Sequence, residues 1–272
     1  MYKLLDWLQP YQDKLVWTGL SSNPNAIHLL EKHPEKINWT HLSYNPNAIS
    51  LLEKHPEKID WFCLSYNPSP LVFAFLQKHP EKINRKVLCR NPNAISIFEQ
   101  DFDKICWLFL SDNRNPLAIH ILEKNPKKID WFWLSTNPNA IHILEKNPEK
   151  IDWYDLSTNP NAIHLLEQNP EKINWFGLSR NPNAIHILEK NMDKIGWYDL
   201  SRNPSPFAIH LLEKNIDKIG WYELSGNPSI FTLDYDWLKK RMDVLREELM
   251  SKAWHPSRIA WRLEQGIDVD EM

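Results

Sequence analysis

Only six glycines and three cysteines occur in 272 residues. With so little glycine, left-handed turns cannot be the general punctuation of this chain, and another residue must end its elements. Cys63, Cys89 and Cys106 have neither disulfide nor metal spacing, which argues against a cross-linked scaffold or a zinc site and fits a reducing, cytoplasmic compartment. No apolar run approaches about 18 residues, so no membrane span is expected. The amino terminus, MYKLLDWLQPYQDKLVW, lacks the apolar stretch of a signal peptide. There is no excess of one charge: the net charge is −3, and acids alternate with bases, as in Glu31, Lys32, Glu35 and Lys36. That pattern gives no basic stripe for a polyanion, so nucleic acid is a poor expected partner. Phosphate-cradling glycine loops, nucleophile elbows and His-Glu-x-x-His are also missing, so neither an enzyme nor a bound cofactor or metal is expected.

Twenty prolines and fourteen tryptophans are present, and both are periodic. A phrase opening on Trp recurs ten times, at Trp17, Trp39, Trp61, Arg85, Trp107, Trp131, Trp153, Trp175, Trp197 and Trp221. Most copies are 22 residues long; those opening at Trp61, Trp107 and Trp197 are 24. A unit this short cannot bury its own apolar face, so neighbours must stack around a shared core. The expected class is an all-α solenoid of ten units, of either hand, with an amino-terminal capping half-repeat (1–16), the array (17–228) and carboxy-terminal capping helices (229–272). An elongated domain follows from that reading.

In the copy 131–152, WFWLSTNPNAIHILEKNPEKID, each Asn-Pro step reads as an N-cap followed by proline at the first helical position. This predicts helix A over 138–146 and helix B over 148–156, the second with 3₁₀ character. The 24-residue units carry their extra residues beside the first Asn-Pro, giving second caps at Ser69-Pro70, Asn115-Pro116 and Ser205-Pro206. The unit opening at Arg85 replaces its second Asn-Pro by Asp101-Phe102 and reads as a local defect or hinge. Beyond Pro228, Leu233, Trp237, Leu238, Met242, Leu245 and Leu249 mark an amphipathic helix over about 233–252. A last helix restarts at His255-Pro256 and should stop at Gly266, before an acidic tail expected to fray.

The strings LSTNPNAIHLLEQNPEKINW and LSRNPNAIHILEKNMDKIGW resemble the short Asn-Pro-Asn-Ala-Ile repeats of proteins from large DNA viruses of algae and amoebae. The ending MSKAWHPSRIAWRLEQG is similar to the tails of that group. The resemblance covers residues 17 to about 265 and lends no active-site residues; it implies host cytoplasm or a virion as the setting. A looser similarity to leucine-rich variant repeats implies stacked α and 3₁₀ helices, though these lack the opening Trp.

Four columns could carry function. His28, His120, His142, His164, His186 and His210 share one position and read as solvated or Glu-paired surface residues, because stacked units about 9–10 Å apart hold them too far apart for a common metal. The tryptophans read as core or half-core rather than as a stacking platform. The positions that vary within a fixed frame point most directly to a partner. Two residues after the opening Trp, these run through Phe109 and Trp133 to Asp155, Asp199 and Glu223; between Ser and Asn they include Tyr44 and Tyr66. The expected surface is an aromatic patch continued by an acidic stretch. The expected function is a non-enzymatic protein-interaction scaffold. A sequence-tolerant nucleic-acid-binding array and a structural virion component are the alternatives.

Overall fold

The computed structural model describes residues 2–98 and 102–265; Asp101, Gly266 and the acidic tail lie outside them. Two compact units are present, Leu4–Phe231 on one hand and Met1–Lys3 with Thr232–Met272 on the other. The repeats occupy the first, and their regular structure is helical, as the all-α reading requires. No helix among the described residues is long and apolar enough to cross a membrane.

Each 22-residue unit has three pieces. In the copy at 131, an α-helix spans Trp131–Thr136, a second spans Ile141–Lys146, and a 3₁₀ turn spans Pro148–Lys150. The true N-cap is the residue before Trp: the Asp130 side chain accepts from Trp133 N, and Asn38, Asp60, Asn84, Asp152 and Asn174 cap their own helices in the same way. The Trp helix ends at Asn137, whose ψ of 114° is the extended backbone that a following proline imposes. Helix A therefore starts three residues later than expected, with Ala140 at its cap position. Only the 24-residue units start it at proline, as Pro70–Gln77, Pro116–Lys124 and Pro206–Glu213. Helix B resolves into the 3₁₀ turn and the next Trp helix.

The asparagines of the first Asn-Pro are not N-caps of helix A; they join the units. Asn159 is wholly buried, and its Nδ2 donates to Ser135 O (2.9 Å) and Asn137 O (3.0 Å) of the unit before. Its Oδ1 accepts from Asn161 N two residues on. Equivalent pairs of bonds link every later unit to its predecessor, from Asn45 through Asn227. The unit at Arg85, read as a defect, keeps both bonds through Asn91. A second bond crosses each junction, where the buried Ser hydroxyl accepts from the backbone N–H before the next Trp helix, as from Asp152 N to Ser135 Oγ (3.1 Å). Cys89 takes the serine's place once and accepts from Cys106 N. Burial pushes the Cys89 and Cys63 thiols up to about 11, so neither is a ready nucleophile.

The same bonds join the first unit to the tenth. Asn23 Nδ2 donates to Ser225 O (3.0 Å) and Asn227 O (2.8 Å), and Val16 N donates to Ser225 Oγ (2.8 Å). The repeats therefore close into a ring, which overturns the expectation of an elongated array. The half-repeat expected as an amino-terminal cap covers no free end. The tenth unit has Trp221–Gly226 and a turn ending at Ile230 but no second half of its own. Residues 4–16 provide it: Leu5 N donates to Ile230 O (2.9 Å). Buried Leu8 and Leu15 complete the columns that Leu30 and Ile37 begin, and Lys14 lies over Trp221 as Lys36 lies over Trp17.

The core is a set of such columns. Leu20, Leu42, Leu64, Leu88, Leu110, Leu134, Leu156, Leu178, Leu200 and Leu224 from the Trp helices are at most 1% exposed, and they meet Leu, Phe98 and Ala side chains from helix A. The opening tryptophans are half-buried against this core, as expected. Lysines lie over Trp17, Trp39, Trp153, Trp175 and Trp197, so those faces are covered. In the second compact unit, Tyr235–Ala253 and Pro256–Glu264 are helices. The first is exposed or half-buried at every described side chain.

Candidate binding surface

Some side chains touch across an intervening unit. Arg90 stacks on Trp133 (4.7 Å), passing the unit at 107, and the Tyr222 hydroxyl meets His41 Nε2 (3.4 Å), passing the unit at 17. Units two steps apart approach this closely only on the concave side of a ring. The two variable columns therefore form its inner wall.

The aromatic part of the expected surface is assembled there. Tyr44 and Tyr66 pack edge to face (5.2 Å), and Arg90 lies between Tyr66 (4.3 Å) and Trp133 while pairing with the buried Asp112. A cleft of 260 Å³ opens beside them, lined by Tyr66, Pro68, Arg90, Pro92, Asp112 and Arg114. Burial, and then Cys63, push the Tyr44 hydroxyl up to about 12, so it stays a neutral donor. Phe109 is half-buried on the same column.

The acidic stretch is not an open surface. Asp155, Asp199 and Glu223 are 7%, 8% and 4% exposed. Arg180 donates to Asp199 Oδ1 (2.6 Å) and Arg202 to Glu223 Oε1 (3.0 Å), each arginine reaching from the unit before. Sequence spacing hides these partners, because each lies about one repeat away. Asp155 has no bonded partner at its buried Oδ2, and burial followed by the neighbouring Asp152 raises its carboxyl from 3.8 to about 6. The folded chain thus holds this proton more tightly than the unfolded chain. Its contribution to stability is whole below pH 4 and is lost as pH rises through about 6. Asp155→Asn is expected to stabilise the ring by on the order of 2–3 kcal/mol at pH 7.5 and to have no effect near pH 4, as measured by denaturant unfolding at both values.

A fifth column went unnoticed in the sequence because it stands beside the tryptophans. The residue after each opening Trp is exposed and aromatic in five successive units: Phe132 (48%), Tyr154 (50%), Phe176 (59%), Tyr198 (56%) and Tyr222 (41%). Each follows the half-buried Trp on the first turn of its helix and projects into solvent. The rings lean onto the next unit. A Cβ on Gly196 would lie 2.8 Å from Phe176 Cδ1, and one on Gly220 2.8 Å from Tyr198 Cδ2, so a side chain at either position would have to displace the ring beside it. The neighbouring Glu223 carboxylate raises the Tyr198 phenol's pKa. Tyr222 also lines a 350 Å³ pocket at the ring closure, with Gly19, Ser22, Arg202, Glu223, Gly226 and Asn227.

The histidine column lies on helix A. His142, His164 and His186 pair through Nε2 with Glu123, Glu145 and Glu167 of the preceding unit at 2.9, 2.9 and 3.1 Å. The bond from His142 holds the Glu123 carboxyl below its usual range. His28, His120 and His210 face the Glu one helical turn on, at 3.6–3.9 Å. The pairs of His142, His164 and His186 tie neighbouring helices together on the ring's surface. Comparison with known protein families, curated proteins and solved structures finds no match to this chain.

Proposed function

We propose that the ring is a non-enzymatic scaffold that binds a protein partner along its aromatic column and the adjoining inner wall. The observation that carries this reading is the run of exposed rings from Phe132 to Tyr222. Large exposed aromatics set among polar groups are the usual core of a protein interface, because they bury much area for little conformational entropy. The wall beside them contributes Tyr44, Tyr66, Arg90, Phe109 and Trp133. Bases also stack on exposed rings. Against that use, Arg90, Arg180 and Arg202 of the wall are already paired with Asp112, Asp199 and Glu223, and the net charge is −3, so little is left to neutralise phosphates. In this reading the chain works in the cytoplasm, and its resemblance to viral repeat proteins adds the infected cell and the virion as places to seek the partner.

The test uses Phe176→Ala with Tyr198→Ala. Both side chains are exposed, so the double variant is expected to melt close to wild type while losing its co-purifying partner by at least about tenfold. A parallel titration with labelled single-stranded RNA at about 150 mM salt is expected to show only weak binding. Submicromolar RNA affinity, or partner capture unchanged in the double variant, overturns the proposal.

A further inference from the structure

The helix Tyr235–Ala253 starts cleanly, with the Asp234 side chain accepting from Trp237 N (3.0 Å). Five of its apolar residues fall at 235, 238, 242, 245 and 249, alternately three and four apart, which is the stripe of a two-helix coiled coil, while Trp237, Val244 and Met250 lie off that line. Tyr235, Met242 and Leu249 are 69%, 63% and 67% exposed, and Leu238 and Leu245 are half-buried. A helix of this length gains little from propensity alone, and a wet Leu/Met stripe costs free energy that a covering surface would recover.

We propose that the stripe is covered by the same helix of a second copy of this chain, running antiparallel. The order of residues along the helix favours both the occupant and the direction. In the antiparallel register Leu238 meets the partner's Leu249 and Met242 meets the partner's Leu245, each twice by symmetry. The polar end of the stripe, Lys252, falls on the partner's Tyr235, where its stem and ammonium suit an aromatic face. On one edge Arg241 meets the partner's Glu248, again twice; on the other Lys239 meets the partner's Arg246, so attraction and repulsion balance. The parallel arrangement sets Lys252 against the partner's Lys252 within the stripe and Arg241 against the partner's Arg246 on both edges, with no attractive pair. A dimer so formed carries two rings and presents each aromatic column twice, independently of what those columns bind.

Sedimentation equilibrium of the whole chain, from low to high micromolar concentration, is expected to show a reversible monomer–dimer equilibrium. Leu245→Lys is expected to abolish it while leaving thermal unfolding of the ring unchanged. Glu248→Arg is expected to weaken dimerisation by about tenfold, from two lost and two repulsive pairs. Adding Arg241→Glu in the same chain swaps the charges and is expected to restore it. A wild-type chain that stays monomeric throughout, dimerisation that survives Leu245→Lys, or Glu248→Arg dimerising as tightly as wild type overturns the proposal.

Discussion

Asn159→Ala is expected to destabilise the ring by about 3–5 kcal/mol, whereas Asn147→Ala, at the other kind of Asn-Pro step, is expected to cost about 1 kcal/mol. In sequence the two steps look alike. In the fold Asn159 is wholly buried and makes both junction bonds, to Ser135 O and Asn137 O, besides holding Asn161 N. Alanine strips a carbonyl and an N–H of partners where water is excluded and leaves a void of about an amide's size. Asn147 is partly exposed and makes one bond, to Ile143 O (2.8 Å), which water can replace. An ordinary N-cap would lose about 0.5–2 kcal/mol at either site. Chemical denaturation of the two variants separates the cases, and equal losses would rule out the junction role.

Removing residues 1–15 is expected to be more damaging. The deletion takes away Leu4, Leu8 and Leu15, all buried, together with the cover that Lys14 gives Trp221. At about 2 kcal/mol for each buried leucine the loss is about 6 kcal/mol, which for a chain of this size lowers Tm by roughly 12–24 °C. The tenth unit would then lack the second half that every other unit has. A synthetic peptide of residues 1–16 added in trans is expected to bind the shortened chain and recover most of the loss. A shortened chain that melts like the whole one would show that the segment does not complete the tenth unit.

Much of this architecture was legible in the sequence. The Trp-to-Trp period announced stacked helical units, and the Ala, Ile and Leu positions of helix A announced the columns, because both are local patterns. Closure was not, since no single unit encodes the sum of ten small rotations. Its signal lay at the two ends: LLDWLQPYQDKLV matches the second half of a unit, and the copy at Trp221 stops after the first half. The two are complementary halves, and reading the first as a cap and the second as a whole tenth unit missed that. The acidic residues were misjudged for a related reason. Arg180 and Asp199 are 19 residues apart yet share a bond, because the repeat carries each onto its neighbour. The exposed rings from Phe132 to Tyr222 were visible as a column but were overshadowed by the larger Trp before each one.

The half-repeat that completes the tenth unit also fixes how many units this chain can have. An open stack can gain or lose a repeat and only change length. Here ten units share one full revolution, 360° divided by ten, so each junction turns by an average of 36°. Nine units would need 40° at every junction, and the excess of 4° would fall on all nine sets of Asn and Ser bonds at once, at junctions already so close that a Cβ added at Gly19 would lie 2.7 Å from Tyr222 O. Copy number in this protein is therefore a bond-geometry constraint, and drift by whole-repeat duplication or loss is closed to it unless every junction changes together.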